Sequence, residues 1–196
     1  MKRGARDSQI INNFFSLASI IIISVILVLY SKYIVKDESE ENPQKEIVKL
    51  ECENESYTYF KVFNQNLLNK SIKALDKGYY KLEGSYLKAE FMPSTIEKVV
   101  SLEEMDKYFI ESIASKPKKD IEKYLKIKYE LIENDKKNPS KKNEVPKLNS
   151  GSVMTSFRIN SKEIFRVYTD FQFMFNNAIK QRVDCSIKVF KNNVQK

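Results

Sequence analysis

Residues 153–175 read VMTSFRINSKEIFRVYTDFQFMF, and apolar residues alternate with polar ones along both halves of this stretch. A period of two is the pattern of a β-strand with one buried face. We therefore predict two half-buried strands, with the aromatic stripe of the second strand in the core of a sheet. The inward residues of the two strands are Val153, Thr155, Phe157, Ile159, Phe165, Val167, Thr169, Phe171, Phe173 and Phe175.

Two further strands are predicted, one on either side of this stretch. Upstream, the apolar residues from Leu125 to Leu131 alternate with charged ones. Downstream, the turn-prone pair Asn176-Asn177 precedes a second alternation from Val183 to Val189, which is a hairpin signal. Between the first two strands, residues 134–149 are rich in Lys, Asn and Pro and are predicted to form a mobile loop.

Helical patterns precede the predicted sheet. Apolar residues recur at helical spacing up to about Lys77 and predict one amphipathic helix that stops at Gly78; they are Phe60, Phe63, Leu67, Leu68, Ile72 and Leu75. The capping boxes Ser94–Glu97 and Ser101–Glu104 predict further short helices. Helices followed by a meander predict an α+β domain, with helices packed on one face of a four-stranded antiparallel sheet.

The N-terminal region carries the pattern of a membrane anchor. From Ser8 to Ser31 there are 24 residues without a formal charge, and about 20 apolar residues suffice to cross a bilayer. Basic residues precede the stretch and acidic ones follow it, so the N-terminus is predicted to be cytoplasmic. The predicted organisation is a cytoplasmic tail over residues 1–7, a transmembrane anchor helix over 8–33, a linker over 34–45 and an exported α+β domain over 46–196.

Composition argues against most enzyme classes. The chain of 196 residues has no His and four Gly, which removes the commonest general base and metal ligand and any Gly-rich phosphate cradle. We expect no catalytic activity, metal or cofactor. Much of the net charge of +8 comes from residues 116–147, with eleven Lys against six acidic residues.

The lysines of residues 116–147 leave several interpretations open. They could contact lipid headgroups, DNA or an acidic partner, or they could keep a loop solvated. Binding of single strands favours aromatic residues interleaved with basic ones, and residues 134–149 contain no aromatic residue. No specific nucleic acid is expected as a partner.

Cys52 and Cys185 are the two cysteines of the chain. Because disulfides persist in the periplasm and are rare in the cytosol, export of the domain predicts a disulfide between them. It would join the region before the first long helix to the last strand. The alternative is two separate buried thiols, which behave as small apolar groups.

An exposed row is predicted on the strand that begins near Phe165. Its members alternate with the inward Phe171 and Phe173, and they are Arg166, Tyr168, Asp170 and Gln172. Arg and Tyr are favoured anchors of protein interfaces. We therefore predict that this row is a partner interface.

Three stretches resemble the TraE family of conjugative type IV secretion systems. They are the start Met1 to Arg6, the region from Tyr86 through Met92-Pro93 to Val99, and the terminal segments around Met154–Ile159, Phe165–Phe175 and Arg182–Phe190. The resemblance implies a non-enzymatic scaffold of the bacterial inner membrane, whose periplasmic domain self-associates and contacts other inner-membrane and periplasmic secretion subunits. It covers about half of the chain, and the Lys-rich loop and the cysteine pair depart from it.

Two other function classes stay open. One is a membrane-anchored periplasmic sensor or ligand-binding protein, which would have to act through a partner membrane protein because the predicted cytoplasmic tail is too short for an output domain. The other is an anchored periplasmic enzyme, which the missing His and Gly motifs disfavour. In each case the predicted contact with the lipid bilayer is through residues 8–33.

Overall fold

A computed structural model describes residues 4–33, 48–118, 124–139 and 149–195. The chain divides into two compact units, Met1–Lys45 and Glu46–Lys196. The predicted linker over residues 34–45, residues 1–3 of the predicted tail and residues 140–148 of the predicted mobile loop lie outside the described residues.

The first unit contains one helix, α1, which runs from Gly4 to Tyr33 and therefore begins within the predicted cytoplasmic tail. From Phe15 to Leu29 nearly all side chains are exposed, whichever side of the helix they occupy. Over the residues that the structure describes, no helical segment has both the length and the apolar character that a membrane crossing requires.

The second unit is an α+β domain. Its elements, in chain order, are α2 (Glu51–Asn54), β1 (Thr58–Val62), α3 (Gln65–Asp76), β2 (Tyr80–Leu87), α4 (Ile96–Val99), α5 (Leu102–Ile113), β3 (Leu125–Glu133), β4 (Gly151–Ile159), β5 (Lys162–Phe171) and α6 (Asn176–Asn192). The strands form one five-stranded sheet in the order β1-β5-β4-β3-β2. β2 runs parallel to β3, and the other neighbouring strands are antiparallel.

The prediction of an α+β domain is confirmed, whereas the prediction of a four-stranded antiparallel sheet is wrong. Three of the predicted strands correspond to β3, β4 and β5. The predicted fourth strand is part of α6, and the turn-prone Asn176-Asn177 begins that helix. The sheet gains β1 and β2 instead, and the parallel pairing of β2 with β3 makes it mixed.

The alternation from Val183 to Val189 predicts a strand, but the same segment also carries a helical pattern. Val183, Ile187 and Phe190, with Ile179 one turn earlier, lie three or four residues apart and are all buried. This i, i+4, i+8 spacing defines one face of a helix. The helix α6, which has 17 residues and no Gly or Pro, packs this face on the sheet. Tertiary contacts therefore stabilise the helix and not a strand.

The predicted amphipathic helix ending near Lys77 is wrong in its first half. Residues Thr58–Val62 form β1, and β-branched and aromatic residues of this kind favour strands. α3 begins only after Asn64, whose side chain accepts the backbone N–H of Leu67 at 2.9 Å. The predicted stop is confirmed, because Gly78 follows the helix with φ +75°.

The two predicted capping boxes differ in outcome. Ser101 and Glu104 cap α5 reciprocally, since each side chain accepts the other residue's backbone N–H, at 3.2 and 2.9 Å. Ser94 does not cap α4, whose N-cap is Thr95 without a capping side-chain hydrogen bond. The middle one of the three stretches that resemble the TraE family begins with Tyr86 and Leu87, which end β2.

The core lies between one face of the sheet, here called the inner face, and the helices α3, α5 and α6. On β4 and β5, Phe157 and Phe165 both contact Phe190 of α6, with ring centroids 3.9 and 5.6 Å apart. On β3, Tyr129 stacks on Phe109 of α5 at 4.7 Å, and its hydroxyl donates to the carboxylate of Asp106 at 2.6 Å. The long helices described in the second unit, α3, α5 and α6, therefore pack on the same side of the sheet.

Gly84 fits this packing because it has no side chain. It pairs with Tyr129 across β2 and β3, and a Cβ atom at Gly84 would lie 2.3 Å from the Tyr129 ring. That ring is buried and is held by its stacking and its hydrogen bond. It therefore cannot move aside easily.

We predict that Gly84→Ala lowers the free energy of unfolding by about 1–3 kcal/mol, the usual cost of overpacking a core. Chemical denaturation of the full chain measures this. The control is Ser85→Ala, the next residue of the same strand, whose exposed side chain should make the change smaller than about 0.5 kcal/mol. Equal stability of the two variants would contradict the packing described for Tyr129.

Candidate partner-binding face

The opposite side of the sheet, here called the outer face, is built from residues that alternate with the core residues. Its side chains are exposed or half-buried, apart from two small serines of β4, Ser152 and Ser156. One row across the sheet, given by the strand register, consists of Lys61, Arg166, Ser156, Lys128 and Glu83; the next consists of Tyr59, Tyr168, Met154, Glu130 and Ser85.

Ser156 forms the floor of a groove along the middle of the outer face. β4 is the central strand, and the short side chain of Ser156 lies between the long side chains of Lys128 and Arg166. The resulting groove has a volume of about 390 Å³ and is lined mainly by β3, β4 and β5 together with Glu83 and Ser85 of β2. Its lining carries charged side chains of both signs.

Glu83 is the centre of an ion-pair network at the β2 side. Its carboxylate lies 3.1 Å from the ammonium of Lys81, 3.1 Å from that of Lys126 and 3.5 Å from that of Lys128. Hydrogen bonds from Lys126 and then Lys81 lower the pKa of Glu83 to about 2. Three lysines are thereby held in fixed positions around one carboxylate.

At the β5 side the corresponding pair is Glu163 and Arg166. The guanidinium donates to both carboxylate oxygens, at 2.7 and 2.6 Å, and Ser156 donates to the same carboxylate at 2.6 Å. Burial works to raise the pKa of Glu163, but the hydrogen bonds from Arg166 and Ser156 outweigh it and lower the pKa. Arg166 also lies 5.7 Å from the ring of Phe63, in cation–π geometry.

The structure places three of the four residues of the predicted interface row together on the outer face. Arg166 is exposed, while Tyr168 and Asp170 are half-buried. Tyr168 contacts the ring of Tyr57 edge-on at 6.4 Å, and Asp170 accepts a hydrogen bond from the amide of Asn149. Gln172 is exposed too, but it lies beyond Phe171, the last residue of β5.

The prediction that Phe173 and Phe175 lie in the core is wrong. Phe171 is buried, with 2% of its surface exposed, whereas Phe173 is 62% exposed and Phe175 49% exposed. The reason is that β5 ends at Phe171, so the alternation no longer determines which way the following side chains face.

Sequence reasoning missed the contribution of β1 to the outer face. Tyr57, Tyr59, Lys61 and Phe63 occupy alternate positions along this edge strand and its flanks and are all exposed. The ammonium of Lys61 lies 5.1 Å from the centre of the Phe63 ring. The strand propensity of Thr58–Val62 was the signal that could have located them, because in a strand these residues share one face.

The predicted cysteine pair is brought together in the structure. Cys52 and Cys185 form a disulfide with Cα atoms 5.8 Å apart. Since Cys185 belongs to α6, the bond joins α2 to a helix and not to a last strand as predicted. Next to it, the buried guanidinium of Arg182 donates to the carbonyl of Cys52 at 3.1 Å and to the carboxylate of Glu55 at 2.6 Å.

The outer face combines paired charges with exposed aromatic side chains. Its carboxylates Glu83 and Glu163 are engaged by cations, and its aromatic side chains lie at one edge. Within the described ranges, no three His, Cys, Asp or Glu side chains converge in a way that could hold a metal ion.

Comparisons of the chain with protein-family models, with curated proteins and with solved structures find no match. The resemblance to the TraE family therefore stays a prediction from the residues that carry it.

We predict that the carboxyl group of Glu83 titrates at a pH near 2, well below its ordinary value of 4.5. Because the pKa is lowered in the folded state, the network contributes stability above pH 4.5 and loses that contribution as the pH falls toward 2. Carboxyl-carbon NMR titration measures the pKa directly. Lys126→Met should raise it, whereas Lys70→Met on α3 should leave it unchanged; an unshifted pKa in the wild-type chain would contradict the network.

Proposed function

We propose that the chain is a non-enzymatic, single-pass scaffold of the bacterial inner membrane, a TraE-like subunit of a conjugative type IV secretion apparatus. In this proposal the second unit lies in the periplasm and binds other inner-membrane and periplasmic subunits, and further copies of itself, through the outer face of its sheet. The observation that carries the proposal is that the long helices described in the second unit pack on the inner face, so that no described helix or strand covers the outer face.

The properties of the outer face support a role in binding proteins. A stable interface buries roughly 800 Å² on each partner, an area that a sheet face can supply and a small cavity cannot. Tyr and Arg are enriched among the residues that dominate binding energy. Here Tyr59, Arg166 and Tyr168 lie together on β1 and β5, and Tyr57, just before β1, contacts Tyr168. The fixed pairs around Glu83 and Glu163 also limit the side-chain entropy lost on binding.

The membrane anchor in this proposal rests on the uncharged stretch from Ser8 to Ser31. The apolar side chains of α1 between Phe15 and Leu29 are exposed all round the helix. A helix that is apolar on every side is found in a membrane or inside a large core. The charge difference across the stretch supports a cytoplasmic N-terminus in this proposal.

The disulfide supports the export of the second unit. Bonds between cysteines form and persist in the periplasm and are rare in the cytosol. Cys52 and Cys185 lie within bonding distance, with Arg182 fixing the backbone of Cys52 beside them. An exporting topology gives this pair the oxidising surroundings that it needs.

A second candidate function is that of an anchored periplasmic ligand-binding protein that acts through a partner. The groove on the outer face favours it, because its volume of about 390 Å³ is within the range of small-molecule sites, roughly 300–1,000 Å³. Its mixed charges would suit a small zwitterionic ligand. The scaffold proposal accounts better for the exposed aromatic residues of β1, which lie outside the lining of the groove.

The proposal predicts that Tyr59→Ala combined with Lys61→Glu weakens partner binding roughly 30-fold without unfolding the domain. Both side chains are exposed, and loss of an interface anchor of about 2 kcal/mol reduces affinity roughly 30-fold. Affinity purification of the tagged full chain from solubilised membranes, with mass spectrometry of the recovered proteins, measures binding.

The matched control for this experiment is Asn66→Ala with Lys70→Glu on the exposed side of α3, which also truncates one residue and reverses one lysine. The control should recover wild-type amounts of partner. If both double variants recovered the same proteins as the wild type, the outer face would not be the interface. Retention of a labelled small ligand by the wild-type chain, and recovery of no protein partner, would favour the second candidate.

A further inference from the structure

One end of the sheet gathers exposed apolar side chains. β2, β3 and β5 finish at this end, and β1 and β4 begin there, as the strand directions require. We call it the aromatic end and define it by Tyr57, Leu87, Phe91, Phe173 and Phe175. Their exposed fractions run from 49% to 67%, whereas the opposite end of the sheet carries the less exposed Phe63 and Tyr124.

Polar contacts hold the segments that carry these side chains. Around Phe91, the backbone N–H groups of Ala89 and Phe91 donate to the buried carboxylates of Glu133 and Asp135, at 3.2 and 2.8 Å. The hydrogen bonds from this segment help to keep the pKa of Glu133 low against the effect of burial, which would raise it. The exposure of Phe91 is therefore fixed by two charged groups beneath its segment.

The other side of the aromatic end is fixed as well. The hydroxyl of Ser150 donates to the carbonyl of Gln172 at 2.6 Å, which ties the segment after β5 to the start of β4. The rings of Phe173 and Phe175 then stack with their centroids 5.9 Å apart. Both rings are exposed to solvent and are not part of the core.

The aromatic end forms a rim with two groups of apolar side chains. Phe173 and Phe175 follow β5, and Leu87 ends β2, with β4 and β3 between them. At about 4.8 Å per strand the two groups are separated by roughly 14 Å. Lys136 and Lys137, both exposed, follow the end of β3 and so lie between the two groups.

We propose that the aromatic end contacts the surface of a bilayer that contains anionic lipids. Phe and Tyr side chains are suited to the boundary between headgroups and acyl chains, and lysines near an anionic surface contribute attraction. Exposed lysines between two groups of exposed apolar side chains complement the charged headgroups and the apolar chains of such a bilayer. The inference rests on the proposed membrane anchoring of the chain.

The absence of tryptophan from the sequence makes the test direct. Phe173→Trp and, separately, Leu87→Trp place single fluorophores at the two sides of the rim, and Tyr124→Trp places one at the opposite end. Each full-length variant is incorporated in nanodiscs of phosphatidylcholine and phosphatidylglycerol, with and without bromine on the acyl chains. We expect emission from positions 173 and 87 to move to shorter wavelength and to be quenched by bromine, and emission from position 124 to be unaffected.

The contribution of charge is tested in the Phe173→Trp variant. Lys136→Glu with Lys137→Glu should reduce the quenching, and discs of phosphatidylcholine alone should do the same. Quenching that is equal at positions 173 and 124 would contradict the proposal. A blue shift that persists without brominated-lipid quenching would also overturn it, and would instead indicate a protein contact.

Failure of the anchor is distinguished from failure of this contact by the same variants. If the chain stays in the discs and position 173 is not quenched, the lipid contact is wrong while the anchor stands. If the chain leaves the discs, it is mixed with preformed brominated vesicles. Quenching at position 173 in the vesicles would support the contact without the anchor, and its absence would refute the contact.

Discussion

The packing of α6 on the inner face of the sheet is the interaction on which the other features depend. Phe190 lies against Phe157 and Phe165, the paired aromatic residues of β4 and β5. The same helix carries Cys185 and Arg182, which hold the beginning of the domain through Cys52. Because α6 and the disulfide tie both ends of the domain to the inner side, stability does not require a cover on the outer face.

The inner face supplies the core packing, and this explains why the two faces of the sheet differ. The inner face joins aromatic and aliphatic residues from all five strands to the helices, while the outer face orders its charges into the networks of Glu83 and Glu163. Exposed ion pairs add little to stability, since solvent screens them. Their main structural effect is to fix the positions of side chains on a surface that is free to bind.

The parts of the fold that could be predicted were those with one unambiguous period. β3, β4 and β5 alternate cleanly, and the box of Ser101 and Glu104 marks the start of α5. α6 satisfied two periods at once, and β1 carries apolar or aromatic residues on both faces, so periodicity could not assign either. The parallel pairing of β2 with β3 depends on contacts distant in sequence, which no local pattern contains.

The residues of the outer face could be predicted where the strands that carry them could be predicted. Alternation within β5 correctly placed Arg166, Tyr168 and Asp170 on one face, because the strand itself was correct. It misplaced Phe173, since the strand ends before that residue, and it missed Tyr57 and Tyr59 because β1 was taken for a helix. Errors in the site therefore followed from errors in where strands begin and end.

The proposal of an exported scaffold depends most directly on the side of the membrane that the second unit occupies. A reporter enzyme active only in the periplasm can be fused after Arg6 or after Lys196 of the chain. The account predicts activity for the fusion after Lys196 and none for the fusion after Arg6. The opposite pattern would contradict it, because the oxidising surroundings of the disulfide and the proposed partners of the outer face both require export.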